Sequence, residues 1–218
     1  SVTGEKYIEV VTSCNYAWEG ECVTAYSSPS FSAATSSRLR QGMVLRVDGV
    51  VQNESEEWYR LSFDDQTLLY PERVKNDWFV AASNVEVLFA GGNITTWEDE
   101  GEVPTSTEKY IVVDKSDQML YAYEGDELFL EALVSTGLEL SPTSIGDFEI
   151  FKKMPSRYMQ GPLEGMPTSE NYDLSGVPWN MYFTSDGQVI HGAYWHDSFG
   201  RQYSHGCINL QPAVAERL

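Results

Sequence analysis

The run Ser204-His205-Gly206-Cys207-Ile208-Asn209 sets a thiol two residues from an imidazole, and a second pair, His191-Gly192, lies upstream. The thiolate is the nucleophilic form of cysteine and an ordinary thiol titrates near ~8.5, so a histidine able to take the proton makes attack on a carbonyl feasible at neutral pH. All three histidines, His191, His196 and His205, fall within fifteen residues beside Cys207. In an extended segment His205 and Cys207 would share a face. Gly206 between them would let the backbone approach a substrate carbonyl closely. Ser204 and Asn209 carry side chains able to orient this loop or the base. No acid lies close to His205; Asp197 is the nearest.

The same four side chains, His191, His196, His205 and Cys207, are possible zinc ligands. Their spacing fits no compact ligand signature, and a glycine beside two of them suits acyl chemistry better. The expectation is a site with no metal and no cofactor. His196, within Tyr194-Trp195-His196-Asp197, reads as a packed or surface histidine.

These residues need elements to hold them. A chain of 218 residues with 42% hydrophobic and 13% aromatic content can build one large or two small domains. No apolar run approaches the ~20 residues of a membrane span, and no leader is visible at Ser1. The formal charge, 14 − 33 = −19, repels phosphate backbones and argues against nucleic acid as a partner. The acidic excess favours a well-solvated surface. Cys14 and Cys22 flank a glycine-containing segment that can fold back, so a disulfide is expected there, with Cys207 left as the free thiol. The alternative is a pair of small buried thiols.

Short β-rich runs separated by turn formers fill the first hundred residues: 7–11, 43–47, 58–63 and 84–89, with turns at Ser27-Ser28-Pro29-Ser30 and Asp48-Gly49. Such spacing suggests a small barrel or sandwich. The polar, acidic stretch around 93–107 reads as a linker between a first domain, 1–92, and a second, 108–218. In the second, strands are expected at 109–114, 118–123, 128–134, 147–151, 179–183 and 188–191, with a helix beginning at Pro212. Residues 152–178, dense in Pro, Gly, Met and Tyr, read as a long loop of the kind that forms lids or binding walls.

Two resemblances add to this reading. Cys22 to Pro29, Leu39 to Val47 and Trp58-Tyr59-Arg60-Leu61 resemble a bacterial SH3-like domain, which implies a wall-binding module or simple packing support. Val134-Ser135-Thr136-Gly137, Pro142-Thr143, Gly146-Asp147-Phe148, Val177-Pro178-Trp179, Met181-Tyr182-Phe183, His191-Gly192 and Ser204 to Asn209 together resemble the YkuD-type L,D-transpeptidase catalytic domain. The resemblance implies a mostly β protein, an SH3-like barrel followed by a YkuD-type β-sandwich with few short helices. It implies a bacterial, extracytoplasmic enzyme that forms a thioester on peptidoglycan stem peptides and passes the acyl group to an amine of a second stem. Water as acceptor would make it an L,D-carboxypeptidase, and loss of chemistry would leave a wall-binding protein. Carbapenem-type β-lactams are implied as covalent inhibitors.

Carried over by position, Cys207 is the nucleophile and His205 the general base, oriented by the Gly192 carbonyl. His191 helps hold substrate, the N–H groups of Gly206 and Cys207 form an oxyanion hole, and Trp179 and Tyr182 wall the pocket. Ala193 departs from the hydroxyl residue usual after the upstream His-Gly. The family also continues past the position of Leu218 through a helix into a final strand, which implies that this chain is either truncated or closes its domain with a different element.

Overall fold

The computed structural model describes residues 5–53, 55–63, 67–89, 108–162 and 171–218; the expected linker at 93–107 lies outside them. The first part folds as β1 (Lys6–Glu9), β2 (Val23–Tyr26), β3 (Thr35–Leu39), β4 (Val44–Asn53), β5 (Glu56–Leu61), β6 (Trp78–Ala81) and β7 (Glu86–Phe89). These pair as one antiparallel sheet in the order β3-β2-β6-β5-β4-β1-β7. Strands β3 and β7 end the sheet and do not pair with each other among the described residues, so it is open.

Three of its strands escape a sequence reading for different reasons. Strand β3 is Thr-Ser-Ser-Arg-Leu, which looks like loop, whereas β6 is buried at all four positions and so lacks alternation. Strand β2 was read only as part of a motif. Asp48-Gly49 is not a turn: β4 runs through it with a register shift between Val47 and Gly49. A bulge there leaves Asp48 bound to Arg60 at 2.8 Å.

The second part begins with β8 (Lys109–Asp114), β9 (Met119–Glu124) and β10 (Glu127–Leu133), an antiparallel meander in the order β10-β9-β8. It continues with β11 (Lys152–Pro162), β12 (Asn171–Tyr182), β13 (Val189–Gly192), β14 (Ile208–Leu210) and the short helix α1 (Pro212–Arg217). Strands β11, β12 and β13 are antiparallel neighbours, and β14 adds parallel to β13. Residues 147–151 form no strand, and the region read as a long loop is a hairpin of two long strands. Prolines 155 and 178 and the left-handed backbone at Gly176 and Trp179 hide its alternation, while a register shift between Arg157 and Met159 absorbs the irregularity.

The two sheets of the second part form a sandwich. Leu120, Ala122, Leu130 and Val134 meet Met181, Phe183, Ile190, Ile208, Leu210 and Ala215 in one buried cluster. The first sheet packs against the outer side of the β11–β12 hairpin. Tyr158, Met159, Val177 and Tyr194 belong to the same buried cluster as Ile8, Leu45, Tyr59 and Trp78. Ser156 donates its hydroxyl to the Val44 carbonyl at 2.6 Å, and the Tyr70 N–H donates to Gln160 at 3.0 Å.

Segment 134–138 threads between β10 and the nucleophile loop and zips onto it. Ser135 and Asn209 exchange backbone hydrogen bonds, and the Leu138 N–H donates to the Ser204 carbonyl at 2.9 Å. Gly137 sits at the tightest point, where an added Cβ would stand 2.1 Å from the Ser141 carbonyl and 2.7 Å from the Thr143 nitrogen. Gly137→Ala is therefore expected to cost about 2–3 kcal/mol, roughly 4–12 °C in Tm for a chain of this size, measured by thermal unfolding.

Cys14 and Cys22 are bonded through their sulfurs with Cα atoms 4.5 Å apart, and Cys207 is free. On the loop-entropy account this short bridge contributes about 2–3 kcal/mol. Alkylation without reductant, read by intact mass, should add one label; three labels would show the bridge absent.

Candidate active site

Strands β13 and β14 carry the candidate residues on one short parallel ladder. Ile190 pairs with Ile208 and His191 with Asn209, so Cys207 falls opposite Val189, two positions along from His191. Residues two apart share a face of the pleat, which sets His191, Asn209, Val189 and Cys207 toward the same side. The Cys207 sulfur is held by a hydrogen bond with the Val189 backbone.

His191 is buried, and its Nδ1 lies 3.0 Å from the Gly192 carbonyl oxygen. A carbonyl only accepts, so Nδ1 carries the proton and donates, which leaves Nε2 as a bare acceptor. Burial lowers the His191 pKa to about 4, the Gly192 bond opposing and the positive charge of Arg157 assisting. The ring is thus neutral at physiological pH and poised to take a proton at Nε2. Trp195 stacks on it at 5.6 Å between centroids and 30° between planes. Gly192 must be glycine for space: a Cβ would lie 2.8 Å from Pro178 and 2.9 Å from Pro212.

His205, expected as the base, is exposed, and no hydrogen bond to another described residue orients its ring. The reason is Gly206, whose φ of +113° turns the chain out of the extended form, so the i and i+2 side chains no longer share a face. The Gly206 N–H donates to Ser204 Oγ at 3.2 Å, and Ser204 Oγ donates to the Cys207 carbonyl. Ser204 therefore braces the turn. Of the two N–H groups expected to stabilise an oxyanion, that of Gly206 is taken up inside this turn. Thr143 supports it from behind, donating to the Gly206 carbonyl at 2.9 Å while accepting the Gly137 N–H at 2.8 Å.

Asn209 and His196 form a second buried unit. The Ser198 N–H donates to His196 Nδ1 at 3.0 Å, which fixes the proton of the neutral ring on Nε2. Burial lowers this pKa to about 4 as well, with Asp197 opposing. Nε2 lies 2.9 Å from the Asn209 amide. That contact is a hydrogen bond only with the amide carbonyl facing His196. The amide N–H2 then occupies the other terminal position, which is buried and without a partner.

Burial pushes the Cys207 thiol up, reinforced by Asp186, while the Val189 bond and Arg157 act the other way. The thiol is half-buried and stays protonated at neutral pH, so it needs a proton acceptor at the moment of attack. Tyr182, an expected site residue, stands close enough for the sulfur to perturb its hydroxyl. Trp179, also expected at the site, packs against the sandwich core. Among the described residues, no group of three or more His, Cys, Asp or Glu side chains converges as a metal site.

A cleft of about 1600 Å³ opens between the two sheets of the sandwich, lined by Ile111, Phe129, Ile150 and Met181 among others. Cys207 and the histidines do not line it. Sequence reasoning missed Arg157, Trp195 and the depth of His191. For Arg157 a signal existed, since it is the only Lys or Arg between Lys153 and Arg201.

The family model of the L,D-transpeptidase catalytic domain, YkuD, matches residues 108–218. Among solved structures, a variant of the Enterococcus faecium L,D-transpeptidase aligns with 28% identity and a TM-score of 0.45, covering 50% of this chain and 44% of that one. The L,D-transpeptidase of Mycobacterium smegmatis aligns with 20% identity and a TM-score of 0.48, covering 77% and 91%. L,D-transpeptidase 3 of Mycobacterium tuberculosis, in complex with a faropenem-derived adduct, aligns with 16% identity and a TM-score of 0.45, covering 78% and 91%. The chain spans less than half the length of the E. faecium enzyme. No curated protein matches it. With the family model matching half of its length, the chain belongs to the YkuD family of L,D-transpeptidase catalytic domains.

Proposed function

We propose that this protein transfers acyl groups between peptidoglycan stem peptides, with Cys207 as nucleophile and His191, in place of His205, as the general base. Sγ attacks the carbonyl of a stem-peptide amide while His191 Nε2 accepts the thiol proton. The C–N bond then breaks, the same proton goes to the departing amine, and a thioester remains on Cys207. An amine of a second stem attacks the thioester, its proton passes to His191 and on to the released sulfur, and a cross-link results. Water in that last step gives carboxypeptidase products instead.

The observation that carries this reading is the buried His191, neutral and aimed by the Gly192 carbonyl, on the same ladder face as Cys207. A raised thiol pKa beside a base of depressed pKa argues against a resting ion pair, so proton transfer accompanies attack. Ser204, Gly206 and Thr143 hold the turn that presents the thiol, the Cys207 N–H serves the developing oxyanion, and Asn209 steadies the floor of the site. His205 lies at the rim, where it meets substrate.

Acylation of the same thiol by carbapenem-type β-lactams follows from this chemistry, because a strained amide meets an acyl-accepting sulfur. The substrate sets the location, outside the cytoplasmic membrane of a bacterium. Residues 1–92 act as a module separate from 108–218 that braces the β11–β12 hairpin. No helix among the described residues is long and apolar enough to cross a membrane.

Incubation with a disaccharide-tetrapeptide, followed by mass analysis, should yield cross-linked dimer. Free tetrapeptide shortened by one residue, without dimer, would favour the hydrolase, and no product would favour wall binding alone. Cys207→Ala should abolish product. His191→Gln should lower kcat about 10²–10⁴-fold, and His205→Gln less than tenfold; the opposite ranking would restore His205 as base.

The acid limb of kcat/KM tests the same assignment. His191 must be neutral to act, and it is neutral above its pKa of about 4. Activity should therefore persist as pH falls through 6 and collapse only near 4. An acid limb at the ordinary histidine value, ~6.5, would count against a buried base.

A further inference from the structure

Arg157 stands apart in a chain with a formal charge of −19. It lies on β11, half-buried, with its guanidinium carbon 5.3 Å from the centre of the Tyr182 ring, and it hydrogen-bonds the Tyr182 hydroxyl. Tyr182 pairs with Val189 across β12 and β13, and the Val189 backbone holds the Cys207 sulfur. The guanidinium is thus one aromatic ring and one strand from the nucleophile. Lys152 approaches the same ring, its ammonium 5.4 Å from the centroid. Among the described residues no carboxylate forms a salt bridge with Arg157 or Lys152.

The field of Arg157 reaches His191, Cys207, Tyr172 and Tyr182. A structural arginine in so acidic a protein would find an acid partner easily. Among the described residues it has no acid partner, and its planar fork of N–H donors suits bidentate binding of a carboxylate.

We infer that Arg157, assisted by Lys152, is a carboxylate subsite beside Cys207, and that it takes the terminal α-carboxylate of the residue that leaves a peptide substrate. This deepens the acyl-transfer reading and rests on it for the identity of the substrate, though not for the existence of the subsite. A residue cleaved from the end of a peptide carries its carboxylate one Cα beyond the amide attacked. A cation set slightly away from the nucleophile selects that bond over internal ones, because an internal residue presents a neutral amide at the same place.

Cys207 itself reports on the subsite, since it is the single free thiol. Its alkylation rate by iodoacetate, which bears a carboxylate, is compared with that by neutral iodoacetamide. A change in thiol pKa or accessibility moves both rates together, so their ratio isolates attraction of the carboxylate. Arg157→Gln should lower the ratio roughly 3–10-fold, and the drop should shrink in 0.5 M salt. Arg157→Lys, which keeps the charge, should retain most of it. An unchanged ratio in the glutamine variant would overturn the inference.

The second arm uses a tetrapeptide stem with a free or an amidated C-terminus. Amidation should raise KM about tenfold in the native protein and leave the Arg157→Gln protein unaffected. Equal sensitivity to amidation in both would remove the carboxylate role. A ratio that falls as stated, with neither peptide turned over, would keep the anion subsite and sink the acyl-transfer reading instead.

Discussion

The hydrogen bond from His191 Nδ1 to the carbonyl of its own neighbour, Gly192, is the constraint on which the site depends. A buried imidazole with an unsatisfied donor would cost about 1–3 kcal/mol, and one free to choose its tautomer would be a poor base. The bond removes both problems with a group that cannot change its protonation. It also explains the crowding around Gly192, since Pro178 and the start of α1 must close over the ring for burial to depress its pKa. The parallel β13–β14 pairing then brings the nucleophile loop into register with that ring.

The hairpin that covers the site cannot be understood from the second part of the chain alone. Strands β11 and β12 are long, twisted and interrupted, with proline at 155 and 178 and left-handed backbone at Gly176 and Trp179. Such strands pair poorly by themselves. Their outer side is held by the first sheet through Tyr158, Val177 and the Ser156 bond to Val44. That support holds in place the hairpin that carries Arg157 and Tyr182 near the thiol, with Tyr172 packed against the shared cluster. Rigidity of the wall therefore comes from a sheet that supplies no catalytic group.

The chemistry was legible in the sequence where it depended on residue type, and illegible where it depended on backbone. Cys207 and the two His-Gly pairs announce an activated thiol. Which histidine shares a face with the thiol turns on the φ of Gly206, and nothing in Ser-His-Gly-Cys distinguishes an extended glycine from one at +113°. The β8–β9 hairpin was readable because Tyr110, Val112, Tyr121 and Tyr123 alternate cleanly. The hairpin strands 152–162 and 171–182 were not, because prolines and glycines in a strand look like loop until a neighbouring sheet is seen to hold them. The same holds for β6, Trp-Phe-Val-Ala, whose burial on both faces removes the alternation that marks a half-exposed strand.

Charge connects these pieces. An excess of nineteen negative charges would repel any anionic peptide from most of the surface, and the effect is strongest at low salt. Binding such a substrate requires a local reversal of sign, set where the long-range field matters least and contact matters most. Arg157 lies within a stretch of 47 residues, 154–200, with no other Lys or Arg, and Lys152 and Lys153 at the start of β11 are the cations nearest it in sequence. It acts on the thiol and on His191 in opposite senses with respect to reactivity: it favours the thiolate and disfavours the imidazolium. The first makes the sulfur easier to ionise, while the second keeps His191 neutral and lowers its affinity for a proton. A carboxylate bound at Arg157 would weaken them, raising the thiol and easing protonation of His191. Both shifts run the same way, so a carboxylate at Arg157 would raise the proton affinity of sulfur and ring together and leave the balance of proton transfer between them nearly unchanged; the effect of such a subsite falls on binding.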